Sequence, residues 1–171
     1  GKAMLRLGLG RIGHSDAEAQ IERFYPVLLE AYGAAIDVHT VLYPGAMEAV
    51  ARLSRDGYAV GICTNKPAGL AETLMTRLGV RDAFASLVGA DTLPVRKPDA
   101  APLVEAVRRA GGDPARSLLV GDTVTDRETA RAAGVPSVLV TFGPGGEDVA
   151  ALKPEALIGH FDELHGVVRR L

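Results

Sequence analysis

Ser117-Leu118-Leu119-Val120-Gly121-Asp122-Thr123-Val124-Thr125-Asp126 is the stretch whose reading decides the fold. Residues 118–120 form an unbroken apolar run, as a parallel strand buried on both faces requires. Gly121 ends the run and a carboxylate follows at once. Thr125 and Glu128 stand in capping-box spacing, which predicts a helix starting near Asp126. Asp122 is thereby expected at the carboxyl end of a central strand, the usual ligand crevice of an open α/β sheet. Asp126 falls one turn further on, at a helix N-terminus. Two hard oxygen donors aimed at one crevice suit Mg2+, which takes one or two carboxylates and completes its shell with water and phosphate. Either residue alone is equally at home as a turn Asp or a helix cap.

Outward from this stretch, residues 41–171 alternate strand and helix, the pattern of a parallel sheet with crossover helices. Strands are expected over residues 58–63, 84–88, 118–120 and 137–141, with an edge strand at 156–158. Tyr43-Pro44-Gly45 reads as a turn feeding a helix with Met47, Val50 and Leu53 inward, and Gly57 as its stop. Leu70, Leu74, Met75 and Leu78 mark the next helix, and Leu103, Val104 and Val107 the one after. Residues 161–171 are expected to close the chain as an amphipathic helix. Two further elements fall at strand ends on the side of Asp122. Thr64-Asn65 offers a hydroxyl and adjacent backbone N–H groups that could hold an anion at a helix start. Lys97 is kept out of helix geometry by Pro98. Alone, the first is an ordinary strand-to-helix turn and the second a solvated lysine; their joint order is far more specific.

Residues 1–40 carry no strand pattern. A short helix is expected up to Arg11, followed by a capping box at Ser15 and Glu18. A helix over residues 17–32 then places Ile21, Phe24, Leu28 and Leu29 on a buried face, with Gly33 closing it. His14, His39, His160 and His165 make no ligand pair at helical spacing and read as structural or exposed. At 171 residues, one good core with a small appendage is the size to expect. A net charge of −2 without a basic face argues against a nucleic-acid partner. Cys63, the single cysteine, excludes an internal disulfide and fits a reducing cytoplasm. No apolar run reaches membrane-spanning length, so no membrane partner is expected. Self-association to a homo-oligomer stays open.

The ordered set Gly61-Ile62-Cys63-Thr64-Asn65-Lys66, Lys97, and Gly121-Asp122-Thr123-Val124-Thr125-Asp126 resembles the second, third and fourth motifs of the haloacid-dehalogenase-like (HAD-like) hydrolase superfamily. Tyr43-Pro44-Gly45, Gly89-Ala90-Asp91-Thr92-Leu93-Pro94, Arg96-Lys97-Pro98-Asp99 and Ala132-Ala133-Gly134-Val135-Pro136 are most similar to its phosphoglycolate phosphatase branch. The resemblance covers residues 43–171 well, and implies an α/β fold: a three-layer Rossmann-like core with a parallel sheet over residues 41–171. Residues 1–40 match as the remnant of a helical cap. It also implies that Thr64, with Asn65, binds the transferring phosphoryl group, that Lys97 neutralises it, and that Asp122 holds Mg2+. Asp126 would orient the ion's water shell or bind it directly. The implied substrate is a small phosphorylated metabolite such as 2-phosphoglycolate.

One departure is serious. The family's first motif, Asp-x-Asp-Gly-Thr at the end of the central strand, is absent. Its first aspartate attacks phosphorus to give an aspartyl phosphate, and its second is the general acid and base. Asp37-Val38-His39-Thr40 is the nearest imitation, with His39 in place of the second carboxylate and no glycine; it reads as a linker. The expectation is that an N-terminal portion carrying the motif precedes Gly1. In the family that strand lies between those ending in Thr64 and Asp122, so the structure should show either a gap between them or direct pairing in an abnormal order. Two alternatives share the pattern: a phosphosugar mutase of the same superfamily, and an inactive remnant serving binding or oligomerisation. Dehalogenation is disfavoured because carbon–halogen cleavage has no need of the Asp122/Asp126 pair.

Overall fold

A computed structural model of the chain describes residues 2–13 and 16–171. They form two compact units, Gly1–Thr40 and Val41–Leu171. In the first, α1 (Lys2–Arg11) packs on α2 (Ala17–Ala34). Lys2–Glu22 and Arg6–Glu18 ion pairs, each 2.6 Å, join the two helices. The expected capping residue Ser15, like His14, lies outside the described residues. Ile21 is fully buried but Phe24, placed on the same face by spacing, is 43% exposed. Gly33 does not close α2, which continues through it to Ala34.

The second unit carries the sheet. Its helices are α3 (Ala46–Arg55), α4 (Ala68–Arg77), α5 (Ala101–Arg109), α6 (Val124–Ala133) and α7 (Leu164–Val168). The strands are β1 (Gly61–Cys63), β2 (Ser86–Val88), β3 (Leu119–Gly121), β4 (Ser137–Val140) and β5 (Ala156–Ile158). All pairings are parallel. All five expected strands are present, most of them shorter than read. The closing helix is shorter too: residues 161–163 form a 3-10 turn before α7.

The strands divide into β1–β2 and β3–β4–β5. Of the two expected arrangements, the structure has the gap. Thr64 N donates to Val88 O at 2.9 Å and Val60 O accepts from Ala85 N at 2.8 Å, so the residues flanking β1, and by alternation Ile62 within it, turn their backbone groups to the β2 side. Leu119 N likewise donates to Pro136 O, beside β4, at 3.0 Å. Backbone groups alternate sides along a strand, so those of Gly61, Cys63 and Val120 face the gap.

The core nonetheless runs across that gap on both faces. On one, Ala49 and Leu53 of α3 meet Leu164 and Val167 of α7, with Val60 and Val120 packed against them. On the other, Leu103 of α5, Leu119 of β3 and Ala130 of α6 form a cluster against which Cys63 of β1 packs. Burying such side chains contributes roughly 1.5–3 kcal/mol each, which holds the two half-sheets in one body without a ladder between them. The result is a helix–sheet–helix sandwich, as expected. No helix among the described residues is long and apolar enough to cross a membrane.

Candidate active site

Three turns at the carboxyl ends of the strands build the site. The turn from β3 to α6 is the most self-contained. Thr123 is extended and forms the N-cap of α6; its Oγ1 accepts from Asp126 N, while Asp126 Oδ2 accepts from Thr123 N at 3.1 Å. Asp126 Oδ2 also accepts from Asp122 N at 3.2 Å and from the Thr123 hydroxyl at 2.7 Å. The capping box is therefore Thr123/Asp126, not the expected Thr125/Glu128, and the helix begins at Val124. Glu128 instead pairs with Arg131 at 3.0 Å. An Asp at the third helical position reaches back because Gly121 leaves room: a Cβ there would fall 2.3 Å from Asp126 Cβ.

The second turn carries Lys97, between β2 and α5. Lys97 Nζ meets Asp126 Oδ1 at 2.6 Å, with the two side chains 10% and 8% exposed. Both Asp126 oxygens are thus held by protein donors. The third turn links β1 to α4. Thr64 Oγ1 accepts from Lys66 N at 3.1 Å, and Asn65 Nδ2 donates to Lys97 O at 3.0 Å. Asn65, Lys97, Asp126 and Asp122 accordingly form one run of contacts spanning the two half-sheets. Thr64 joins it as the neighbour of Asn65.

Charge is unevenly balanced within this run. Burial presses the Asp126 carboxyl upward, but the Lys97 charge and the hydrogen bonds from Lys97, Thr123 and Asp122 N outweigh it and hold the group below the usual carboxylate range. Asp122 goes the other way: burial first, then the charge of Asp126, raises it. Lys97 offsets this only in part, being committed to Asp126. Burial also raises the Cys63 thiol, which packs as a small apolar group. Among the described residues, no group of three or more His, Cys, Asp or Glu side chains could hold a metal. The arrangement offers a half-buried carboxylate beside a second one, next to a lysine and a strand-end hydroxyl.

Some of the supports were not foreseen. Asp91 Oδ1 accepts from Ala68 N at 2.7 Å, capping α4 from a distant loop. Thr92 Oγ1 accepts from Gly89 N at 2.9 Å in that loop. Arg127, buried beside Asp126, binds four acceptors (below). Spacing along the chain has no signal for contacts made over such separations. Of the histidines, His165 is buried against Asp56, 2.5 Å away, and His160 caps a 3-10 turn, both away from these three turns.

A parallel α/β sandwich with acidic and basic groups at its strand ends defines a protein of the class that handles anionic ligands in such crevices. Comparison with known proteins narrows the class. The model of the haloacid dehalogenase-like hydrolase family matches residues 4–134. The chain is 43% identical over 146 residues to the phosphoglycolate phosphatase of Mesorhizobium japonicum, covering 85% of this chain and 64% of that protein. It is 39% identical over 166 residues to that of Rhodospirillum rubrum, covering 95% of this chain and 67% of the relative. The chain therefore spans about two thirds of the length of these curated relatives. A crystal structure described as a predicted phosphoglycolate phosphatase from Haemophilus somnus superposes with a TM-score of 0.84 at 25% identity, over 95% of this chain and 73% of that one. One from Lactobacillus delbrueckii, at 19% identity and a TM-score of 0.85 over 97% of this chain and 77% of that one, matches in fold. The chain belongs to the haloacid dehalogenase-like hydrolase family.

Proposed function

We propose that this chain forms most of a Mg2+-dependent phosphomonoesterase acting on a small phosphorylated acid, with 2-phosphoglycolate as the substrate. The observation that carries the reading is the buried Lys97–Asp126 pair set beside Asp122 and Thr64–Asn65 at parallel strand ends. Relatives at 43% and 39% identity carry the name phosphoglycolate phosphatase, which supports the choice of substrate. Residues 1–40 are assigned to part of a helical cap and 41–171 to the core. The free thiol of Cys63 suits a reducing, cytoplasmic setting.

The residues present fit a magnesium ion. Asp122 is raised by burial and by a second carboxylate, so a cation beside it would relieve both effects. A single protein carboxylate, with water and phosphate completing the shell, is ordinary for this ion. Asp122 would hold it directly, and Asp126 would act through water while keeping Lys97 in place. The ion would supply charge neutralisation at the phosphoryl oxygens. Lys97 would neutralise the same oxygens from the protein side, and the Thr64 hydroxyl with the Asn65 turn would orient the group.

Attack on phosphorus needs a carboxylate that the three turns do not contain. We place it on a strand between β1 and β3. Its oxygen would bond to phosphorus as the P–O bond to the substrate's alcohol oxygen breaks and that alcohol leaves with a proton from water; a second water would then release phosphate from the aspartyl phosphate. The backbone groups of Gly61, Cys63 and Val120 turned toward that gap support this placement. The test is phosphate release from 2-phosphoglycolate and from hexose phosphates, with and without Mg2+, by the full-length protein. Mg2+-dependent release with preference for 2-phosphoglycolate is expected. No release from any phosphomonoester in the presence of Mg2+ refutes the reading.

A further inference from the structure

We propose that Arg127 is a positioning residue: its guanidinium pins the β4–β5 connection so that two glycines of that connection stay packed on Asp122. A cation in the first turn of a helix runs against the helix dipole, so Arg127 at the start of α6 is held for its partners rather than for helix stability. The side chain is buried, with the whole residue 7% exposed. Nη1 donates to Ser137 Oγ at 3.0 Å and to Glu155 Oε2 at 2.7 Å. Nη2 donates to Lys153 O at 2.7 Å, and Nε to Leu152 O at 3.3 Å. The acceptors on 152, 153 and 155 end the connection. Lys153 is the only described non-glycine residue with positive φ, at 51°, and its carbonyl is one of those Arg127 holds.

The other end of the connection touches the site. Phe142 is seated between Tyr43 and Phe161, with ring centroids 5.2 and 5.0 Å away. A Cβ on Gly143 would lie 2.8 Å from Asp122 Cβ and 3.3 Å from Asp122 Oδ2. One on Gly145 would lie 3.2 Å from Asp122 O and 2.7 Å from Cγ1 of the buried Val149. The chain is thus laid directly against Asp122 where side chains have been dispensed with. Between these ends, residues 146–152 are a 3-10 helix whose backbone bonds are local. Arg127 joins its far end to α6, whose first turn also fixes Asp126. Lysine could replace it only in part, because a point charge does not present several fixed donors at once.

The consequence for Mg2+ rests on the reading of Asp122 as its ligand, so the test has arms that separate the two. In Arg127→Met, amide hydrogen exchange should accelerate at least about tenfold over residues 143–153 and leave residues 61–63 and 86–88 unchanged. The carboxyl 13C resonance of Asp122 should move without any metal present. Mg2+ affinity measured by calorimetry should weaken about tenfold, with Arg127→Lys in between. Should Arg127→Met not fold, Arg127→Lys and Gly143→Ala carry the same measurements. Unchanged exchange over 143–153, or faster exchange with an unmoved Asp122 resonance, overturns the proposal. A wild-type protein that ignores Mg2+ refutes the metal reading instead, and leaves Arg127 to be judged by exchange and the Asp122 resonance.

Discussion

The turn after β3 and the turn after β1 present the same kind of strand end, but are held in opposite ways. After β3 the supports of α6 lie within the turn itself, where Thr123 and Asp126 cap each other. After β1, Pro67 occupies the N-cap of α4 without a side-chain cap. The first α4 amide is satisfied by Asp91, and Asn65 is tied to Lys97 O. Even Gly89 is fitted to this arrangement, since a Cβ there would fall 2.4 Å from Ala68 N. One turn is therefore a local device and the other a product of the β2–α5 loop. Lys97, in that same loop, reaches into the first turn and joins the two.

The largest effect should come from cutting that joint. Lys97→Ala should lower phosphatase turnover of the full-length protein about 10³-fold or more, because it removes the cation proposed to neutralise the phosphoryl group. It should also destabilise the fold by about 3 kcal/mol, since Asp126 is left as a buried charge without a partner. The double variant Lys97→Met/Asp126→Asn, which removes both charges but keeps a side-chain oxygen to accept from the Asp122 and Thr123 amides, separates the two losses. Denaturant unfolding should show stability largely regained, while turnover stays lost. Activity near the wild-type level in Lys97→Ala would remove the assigned role.

Asp122 should behave in the reverse sense. Its folded carboxyl titrates above the unfolded value, so its contribution to stability is full below the unfolded pKa and is lost as pH rises through the folded one. At neutral pH without metal the ionised group is a cost. Asp122→Asn should therefore raise the melting temperature by about 1–3 °C in chelator. It should also abolish the stabilisation by Mg2+, which for the wild type would approach about 2.7 kcal/mol at a hundredfold excess over Kd. Asp126, held below its ordinary range, has the opposite sign. Its contribution is present above the unfolded pKa and disappears as pH falls through the lower folded value. Scanning calorimetry from neutral to acid pH should show this as a falling melting temperature, and Asp126→Asn should flatten that limb.

The contrast between the turns also explains what could be read from the chain. The apolar run before Gly121 and the carboxylates after it are contiguous, so the strand and the presence of a helix after it were legible. The cap was misassigned by two residues because Thr125/Glu128 has the same spacing as Thr123/Asp126. Only the extended backbone of Thr123 decides between them. Thr64, Lys97 and Asp122 were singled out by order along the chain, but the ties from Asn65 to Lys97 and from Asp91 to Ala68 link residues far apart in sequence. The break between β1 and β3 was only half legible: a motif was missing where two apolar strands needed a shared neighbour, which allowed either a gap or direct pairing, and the structure has the gap. Gly33 misled because glycine inside a helix costs only about 1 kcal/mol, which packing of α2 on α1 can outweigh.

The finest test compares the two caps directly. Thr123→Ala and Asp91→Ala each remove one side-chain acceptor at a helix start, and each should cost about 1 kcal/mol, or roughly 2–4 °C in a chain of this size. Their reach should differ. Loss of the Thr123 cap should speed amide exchange in the first turn of α6 and leave α4 as it was. Loss of Asp91 should loosen α4 and, through the shared loop, the backbone of Lys97 that Asn65 holds. KM for a phosphomonoester should then rise in Asp91→Ala by more than its stability loss accounts for. Equal exchange changes in both helices for either variant would mean that the two turns are one cooperative unit, and that the division between a local and a borrowed turn is not physical.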